Sequence, residues 1–272
     1  MRIGAYQFAA SGSIEENLSA IRKAVARAKT ESVRLLAFLE CALTGYPPKN
    51  VERASSVDFP ALDRSFLELQ TVSDENDMFL LVGSITKSGD FYQNSAVLFR
   101  PGSSVEDACI NGKRALWGWD LDNFTPGSSG GVWEIDGFRF GARICYEVRF
   151  PEFFRELYRE RADFAVVMFS DVSEDDDLNR YELIKAHLRT RASETVLPIL
   201  SVNDCSQYQT APTAAFDNDG NVIAELPRNR EGLLVYDLEM KELSFSARGR
   251  KTVSDGLLEM RSAECLGEEH EF

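Results

Sequence analysis

Short apolar runs alternate with amphipathic segments along most of the chain. From Leu18 to Ala28, apolar residues recur at helical spacing behind Ser13 and Glu16, which match a capping box, so this segment is predicted to be a helix. Further helices are predicted at 61–75, 152–161 and 178–195. Strands are predicted at 1–8, 33–39, 78–85, 94–99, 131–135, 138–144, 163–169, 198–202, 213–216, 222–226 and 232–238. This alternation predicts an α/β fold.

The chain shows no internal repeat, no low-complexity tract and no linker rich in Pro, Gly or Ser. We therefore expect a single domain spanning residues 1–272, with an acidic C-terminal tail that is flexible from about residue 262. The pair Asp136-Gly137 separates two of the predicted strands and is typical of a tight hairpin turn.

Composition and charge narrow the class of partner. At 272 residues, of which 44% are hydrophobic and 27% charged, the chain can bury one large core or two modest ones. The formal net charge is -14, and no Lys/Arg cluster exceeds a few residues, which argues against nucleic acid or an anionic membrane as a partner and favours a small molecule. The sequence contains no run of about 20 apolar residues and no signal-peptide hydrophobic region near Met1. We expect a cytoplasmic protein.

Cysteine and histidine usage limits the chemistry. The five cysteines are odd in number and scattered, which fits neither a disulfide framework nor a paired metal site, so free thiols are expected. The two histidines, His187 and His270, are too few for a histidine-rich metal centre. A lone histidine on the predicted helix 178–195 is more often a surface or capping residue than a base. No metal is expected, and a carboxylate is the favoured base for a cysteine nucleophile.

Cys145 follows the apolar strand 138–144 and precedes Pro151, which can open a helix because its missing N–H would have no intrahelical partner. A thiol here would stand at the edge of a sheet, where free N–H groups and the positive end of a helix would favour the thiolate. An arbitrary cysteine at a strand end is more often a small buried hydrophobe. Cys145 is therefore a candidate nucleophile that needs support from other residues.

Two further polar residues lie beside apolar runs. Glu40 ends the run 35–39, so its carboxylate is expected at a strand's C-terminal edge, where open α/β sheets bind ligands, although alone it would be a solvated turn residue. Lys113 follows Asn111-Gly112, and the usual fate of a lysine is the surface. Together they suit a reaction in which Glu40 takes a thiol proton, Cys145 attacks a carbonyl and Lys113 stabilises the oxyanion. Spacing alone does not establish that the three converge.

These residues lie, in order, in the segments FLECALTGYPP, NGKRALWGWDLDNFTPG and GARICYEVRFPE, which resemble the nitrilase superfamily of carbon-nitrogen hydrolases. The resemblance covers nearly the whole chain. It implies a four-layer α-β-β-α sandwich, no cofactor or metal, and a homodimer or higher homo-oligomer formed through the outer helices. It also implies attack of the cysteine on an amide, carbamoyl or nitrile carbon, release of ammonia or an amine, and hydrolysis of the thioester.

The family's roles carry over by position. Glu40 becomes the base, Lys113 the oxyanion stabiliser and Cys145 the nucleophile. The N–H of Tyr146 becomes the second oxyanion donor. Where the family usually has a second glutamate before the Pro-Gly of the lysine loop, this chain has Asp120, one methylene shorter, which is therefore an auxiliary catalytic candidate.

Other departures concern the pocket. Ala115 stands where many members have histidine, Thr195 where asparagine is common, and 211–213 lacks the usual Gly-x-Ser pattern. They indicate an altered acyl pocket. Asp120 and the 211–213 segment also leave open a catalytically silent member that binds a metabolite or a protein, although the intact Glu40, Lys113 and Cys145 argue against it.

The segment after Cys145 resembles the stand-alone amidase branches more than true nitrilases, so we expect hydrolysis of a small amide or carbamoyl compound. Arg149 is a candidate for binding a substrate carboxylate, which would make the protein an omega-amidase acting on dicarboxylic acid monoamides, and a structural salt bridge is the alternative. The acidic run 174–177 is expected, by the resemblance, to border the pocket mouth, although it also suits a solvated helix cap. Its charge would favour neutral or amine-bearing substrates.

Overall fold

The computed structural model describes residues 1–206, 208–239 and 242–258, and the tail predicted from residue 262 lies outside them. The strands are β1 (Arg2–Gln7), β2 (Leu35–Ala37), β3 (Phe79–Ser88), β4 (Phe91–Phe99), β5 (Cys109–Gly112), β6 (Val132–Ile135), β7 (Phe138–Ile144), β8 (Phe164–Met168), β9 (Ile199–Val202), β10 (Ala214–Phe216), β11 (Val222–Glu225) and β12 (Gly232–Asp237). The helices are α1 (Ile14–Thr30), α2 (Phe59–Asn76), α3 (Asp120–Asn123), α4 (Pro151–Arg159), α5 (Leu178–Thr195) and α6 (Phe245–Leu257).

The strands form two six-stranded sheets. Their orders are β12-β1-β2-β3-β4-β5 and β11-β10-β9-β8-β7-β6. In each sheet three consecutive positions are parallel, β1-β2-β3 in the first and β7-β8-β9 in the second, and the flanking strands pair antiparallel. Parallel neighbours direct their carboxyl ends to one edge of the sheet. Glu40 follows β2 and Cys145 follows β7, so each candidate lies at such an edge.

The two sheets pack face to face between layers of helices. In β8, Phe164, Val166 and Met168 belong to the core between the sheets, whereas Ala165 and Val167 belong to the core under α4 and α5. This alternation follows from the two-residue period of a strand and buries both faces of the sheet. The helices α1 and α2 pack together over the first sheet. The predicted four-layer α-β-β-α sandwich is confirmed.

Some local predictions are confirmed and others are not. The hairpin joining β6 to β7 forms at Asp136-Gly137, whose φ values are 48° and 81°. Ser13 caps α1 by accepting from the N–H of Glu16, but the Glu16 carboxylate bonds to Ser11 Oγ, so the capping box is incomplete. The strand β5 and the helix α6 were not predicted from the sequence. In β5, Asn111 and Gly112 are buried while Ile110 is exposed, and α6 buries few apolar residues. Within the described ranges, no helix has the length and apolar character needed to cross a membrane.

Candidate active site

Glu40 lies just past β2, where the chain leaves the first sheet. The next residue, Cys41, has a φ of 52°, in the left-handed region that few non-glycine residues adopt. Gly83 in β3 permits this turn, because a Cβ there would lie 2.1 Å from Leu39 O and 2.8 Å from Glu40 Cα. The Glu40 N–H donates to Phe169 O at 3.2 Å. Glu40 is therefore held between the ends of β2 and β8, one from each sheet.

Lys113 directly follows β5 at the start of a long loop. Its N–H donates to Asn94 O at 2.7 Å, and its carbonyl accepts from the Gly127 N–H at 2.9 Å. A Cβ on Gly127 would lie 2.1 Å from Gly112 O, so glycine is required for this close approach. The loop that leaves Lys113 thus returns to it at Gly127.

Cys145 directly follows β7 and has a φ of 46°. Non-glycine residues in such conformations cost about 1–3 kcal/mol each and cluster at active sites. Cys145–Arg149 form a 3-10 turn, and α4 begins only at Pro151. The residue Cys145 as a whole is partly exposed, although its thiol is buried among the neighbouring carboxylates.

The strand ends bring one ammonium and two carboxylates into contact. Lys113 Nζ lies 2.8 Å from Glu40 Oε1 and 2.8 Å from Asp120 Oδ2, and each of the three side chains is at most 2% exposed. Asn94 Nδ2 donates to Glu40 Oε1 at 2.7 Å, and the Ser170 N–H donates to Glu40 Oε2 at 2.9 Å. Both Glu40 oxygens therefore accept hydrogen bonds, and Lys113 is a buried counter-ion rather than a surface lysine. We call Glu40, Lys113 and Asp120 the site cluster.

Asp120 is held from two sides despite its short side chain. Its Oδ1 accepts from the Tyr46 hydroxyl at 2.8 Å, while Lys113 Nζ contacts Oδ2. Burial, followed by the charge of Glu40, raises the pKa of Tyr46 far above its usual value, so this hydroxyl remains a donor. The structure thus places Asp120 against Lys113, the contact that an auxiliary role requires.

The surroundings set the protonation of the site cluster. Burial raises the pKa of Glu40 above its usual range, and the charge of Lys113 only partly opposes this. Burial alone would lower the pKa of Lys113, but the charges of Glu40, Cys145 and Asp120 outweigh it and the pKa is well above its usual value. Lys113 therefore keeps its proton, and Glu40 is a stronger base than an ordinary carboxylate.

The expectation that a helix end would favour the Cys145 thiolate is wrong. Burial, and next the charge of Glu40, raise the pKa of the thiol well above its usual value, and Lys113 only partly opposes them. The carboxylates of Asp171 and Asp120 add to the shift, and α4 begins only at Pro151. The thiol is therefore protonated at neutral pH and needs a base to become a nucleophile.

Glu147, to which the sequence assigns no chemical role, connects the lysine loop to the nucleophile turn. It is buried, its Oε2 accepts from the Ile144 N–H at 2.8 Å, and its Oε1 accepts from the Arg114 N–H at 2.8 Å. One carboxylate thus ties the residue before Cys145 to the residue after Lys113. Its place two residues beyond Cys145 is the only signal in the sequence.

Three further site residues were not predicted from the sequence: Tyr46, Asn94 and Ser170. Tyr46 lies in the TGYPP string that carries part of the family resemblance, so it left a weak signal. Asn94 lies between Gln93 and Ser95 in β4, and nothing in the sequence distinguishes it as a site residue. Ser170 acts through its backbone N–H, which any residue except proline could supply. Such a contact leaves no trace in the sequence.

Tyr146 and Arg149 lie on the nucleophile turn. The N–H of Tyr146 is among the first of the 3-10 turn, and such groups have no partner within their own turn. The Arg149 guanidinium lies 5.7 Å from the centre of the Tyr146 ring. Across the described residues it forms no ion pair, so the structural salt bridge considered for it is not found there.

Among the other titratable side chains, His187 lies on α5 and Cys41 lies beside Glu40. Burial lowers the pKa of His187, and the charges of Arg191 and Arg149 add to the shift, so this histidine is neutral at neutral pH. Cys41, Cys109, Cys145 and Cys205 are free, as expected, whereas Cys265 and His270 fall outside the described residues. In the part of the chain that the structure describes, no group of three or more His, Cys, Asp or Glu could hold a metal ion.

Comparison with known proteins shows which family the chain belongs to. A family model for carbon-nitrogen hydrolases matches residues 2–248. The chain is 26% identical over 228 residues to a 2-oxoglutaramate amidase from Bacillus subtilis, covering 80% of this chain and 82% of the relative. It is 24% identical over 262 residues to an (R)-stereoselective amidase from Pseudomonas sp., covering 94% and 91%.

A solved structure agrees with the fold. A mutant of an amidase from Nesterenkonia sp. AN1, in complex with butyramide, matches with a TM-score of 0.78 at 21% identity and covers 96% of both chains. The present chain therefore belongs to the carbon-nitrogen hydrolase family, as the resemblance to the nitrilase superfamily implied, and is an enzyme that hydrolyses carbon-nitrogen bonds.

Proposed function

We propose that this protein is an amidase that cleaves a non-peptide carbon-nitrogen bond of a small amide or carbamoyl compound through a thioester on Cys145. The observation that carries the proposal is the buried contact of Lys113 with Glu40 and Asp120, close enough to the thiol to shift its pKa. Buried ion clusters are weak evidence for stability, whereas buried groups with shifted pKa values are typical of functional sites.

In the first half-reaction, Glu40 accepts the thiol proton and the Cys145 sulfur attacks the carbonyl carbon. A base is needed because the pKa of the thiol is raised, and the raised pKa of Glu40 suits it to this transfer. Lys113 Nζ and the Tyr146 N–H stabilise the oxyanion. The carbon-nitrogen bond then breaks, the nitrogen takes the proton from Glu40, and ammonia or an amine leaves.

In the second half-reaction, water gives a proton to Glu40 and attacks the thioester carbon. The carbon-sulfur bond breaks, the sulfur regains the proton from Glu40, and the acid product leaves. Lys113 again stabilises the oxyanion. We assign Asp120 the task of orienting the Lys113 ammonium, since Tyr46 fixes one Asp120 oxygen and the ammonium contacts the other.

Amides are the favoured substrate class because the two relatives described above are amidases and an amidase of the same fold is solved with butyramide. A second candidate is an omega-amidase. It is favoured by Arg149, which has no ion-pair partner among the described residues, and by the similarity to a 2-oxoglutaramate amidase. In that case Arg149 would pair with the carboxylate of a dicarboxylic acid monoamide.

We also infer a cytoplasmic homo-oligomer, with contacts through the outer helices. Large apolar side chains are exposed on α5 and α6, among them Leu183, Phe245, Val253 and Leu257. Exposed apolar groups of this kind are typical of surfaces that pack against another chain.

Intact-protein mass spectrometry after acid quenching tests the proposed function. Protein incubated with a mixture of small amides should carry an added acyl group and release ammonia. Cys145→Ala should do neither. Cys109→Ala is the matched control, because Cys109 is also partly exposed, and this variant should behave like the unmodified protein. Ammonia release by Cys145→Ala at the normal rate, or acylation of Cys109 alone, would contradict the proposal.

A further inference from the structure

Three aromatic side chains form a connected, exposed set that begins at the residue after Cys145. The Trp117 ring stacks on the Tyr146 ring, with centroids 6.4 Å apart and an interplanar angle of 18°. Phe150 packs edge-on against Tyr146 at 5.2 Å and 75°. Trp117 is 66% exposed and Phe150 is 36% exposed. We call Trp117, Tyr146 and Phe150 the aromatic rim.

Short chain segments fix the aromatic rim beside the reacting groups. Trp117 follows Lys113 by four residues in the lysine loop. The backbone N–H of Trp117 donates to Asp120 Oδ2, with an N···O distance of 3.5 Å. Tyr146 directly follows Cys145. The aromatic rim therefore adjoins the nucleophile through Tyr146 and the site cluster through Trp117.

The exposure of the rim is not explained by packing of this chain on itself. A tryptophan that is two-thirds exposed adds little to the core, and neighbouring exposed apolar side chains typically mark a ligand or partner site. Stacking nevertheless holds the Trp117 and Tyr146 rings nearly parallel. A flat apolar group laid against this pair would find a surface that is already ordered, which lowers the entropic cost of binding.

We propose that the aromatic rim binds an aromatic ring carried by the substrate, so that the enzyme prefers arylalkyl amides to the smallest aliphatic amides. This inference rests on the proposed amidase function and narrows its substrate class. A ring contact of this kind corresponds to about a tenfold gain in kcat/KM.

The test compares 3-phenylpropanamide with propanamide, which differ only by the phenyl group. For the unmodified enzyme, kcat/KM should be at least about tenfold higher for 3-phenylpropanamide. Trp117→Ala should remove most of that ratio, mainly through KM, and Trp117→Phe should keep most of it. Trp119→Ala is the matched control, because Trp119 lies on the same loop and is 60% exposed, yet it stacks on no other ring of the described residues. This control should leave the ratio unchanged.

Two results would overturn the inference while leaving the amidase function intact. One is an equal kcat/KM for both amides in the unmodified enzyme. The other is an equal loss on both amides in Trp117→Ala, and a lower molar mass of that variant by light scattering would then identify the rim as a contact between copies. If neither these amides nor other small amides are turned over, and none acylates Cys145, the proposed function fails and the rim proposal with it.

Discussion

Two charge clusters lie side by side in the chain, one fully buried and one fully buried only at Arg143, and they differ in how their charges are satisfied. In the site cluster, two carboxylates share the single ammonium of Lys113. In the second, which we call the support cluster, Arg143 and Arg114 share the carboxylate of Glu156. Lys113 and Arg114 are consecutive residues, so one point of the chain serves both clusters.

In the support cluster, backbone carbonyls accept most of the hydrogen bonds that Arg143 donates. Arg143 is fully buried, and its guanidinium donates to Phe153 O, Gly130 O and Ala142 O at 2.7–3.0 Å, as well as to Glu156. Burial lowers the pKa of Arg143 to about 10, which still leaves it charged at neutral pH. These fixed bonds hold β7 and α4 in place, and nothing in them is poised to exchange a proton.

The site cluster is instead arranged so that a proton can move between Glu40 and the Cys145 thiol. Glu40 carries a raised pKa beside a thiol whose pKa is also raised, so moving one proton between them is feasible once a substrate binds. Each cluster contains fully buried charge, Arg143 in the support cluster and all three members in the site cluster, so buried charge alone does not identify an active site. The distinguishing feature is a carboxylate whose ionised form is disfavoured, next to a nucleophile.

The largest expected effect is on Cys145→Ala. Because the sulfur is the attacking atom, kcat/KM should fall on the order of 10⁴-fold or more. The free energy of unfolding should change by less than about 1 kcal/mol, since the change removes a single atom. Amide-hydrolysis assays and denaturant melts on the same preparation check both statements. Near-normal turnover by the folded variant would remove Cys145 from the mechanism.

Removing one cation from each cluster sharpens the comparison. Lys113→Met leaves two buried carboxylates without an ammonium, which should cost about 3–5 kcal/mol of unfolding free energy near neutral pH. Those carboxyls would have a raised pKa in the folded state, so the loss grows as pH rises through that pKa and shrinks in acid. Arg143→Met should also destabilise, by leaving backbone carbonyls unpaired, but with little dependence on pH.

Denaturant unfolding at pH 5 and pH 8 measures this difference. A Lys113→Met loss that is the same at both pH values, or an Arg143→Met loss that varies as strongly, would mean that the two clusters do not differ in charge balance.

The strand ends that carry Glu40 and Cys145 could be predicted from the sequence, because each follows a strand-like apolar run, continuous at 35–39 and alternating in β7. The contacts that tune these residues could not. The contacts of Asn94 and Ser170 with Glu40 and of Tyr46 with Asp120 span 54, 130 and 74 residues of sequence, so they exist only in the folded chain. Likewise, the protonated thiol follows from burial among carboxylates, whereas the sequence displayed only the nearby helix signal.

The pH dependence of kcat/KM tests the base directly. Activity requires ionised Glu40, so it should fall as pH is lowered through the raised pKa of Glu40, giving an acid limb above the usual range of a carboxyl. Asp120→Asn removes a charge that raises this pKa, so the limb should move to lower pH. Asn94→Ala removes a hydrogen bond that lowers it, so the limb should move to higher pH. Shifts in the same direction, or none, would assign the limb to another group.

A smaller effect is expected from Asp120→Glu, which restores the side chain usual in the family. Asp120 as it stands is spanned by Tyr46 and Lys113, so an added methylene must displace one of them. We expect deacylation to be the slow step, with a burst of ammonia followed by slower turnover. The slow phase should change by up to about tenfold and the burst by less. A linear time course, with Asp120→Ala unaffected, would reduce Asp120 to a loop residue.

The smallest expected effect concerns a third charged region, the acidic run 174–177 between β8 and α5. Unlike the two clusters, it is mostly exposed. Asp176 pairs with Arg228 at 2.6 Å, and Asp177 caps α5 by accepting from the Arg180 N–H at 2.9 Å, so only part of its charge remains to act on a substrate. Exposed charge of this kind raises the local concentration of cations and is screened by salt.

Neutral or amine-bearing amides should therefore be preferred over length-matched monoamides of dicarboxylic acids, by roughly threefold at low salt and less at high salt. The opposing group is Arg149, whose guanidinium has no ion-pair partner among the described residues and lies against the Tyr146 ring beside the nucleophile. Steady-state kcat/KM for the matched amides, measured at two salt concentrations, compares the effect of the acidic run with the effect of Arg149. A preference of about tenfold or more for the carboxylate-bearing amide, equal to roughly 1.4 kcal/mol of transition-state binding, would show that Arg149 outweighs the acidic run. Loss of that preference in Arg149→Gln would then establish the omega-amidase alternative.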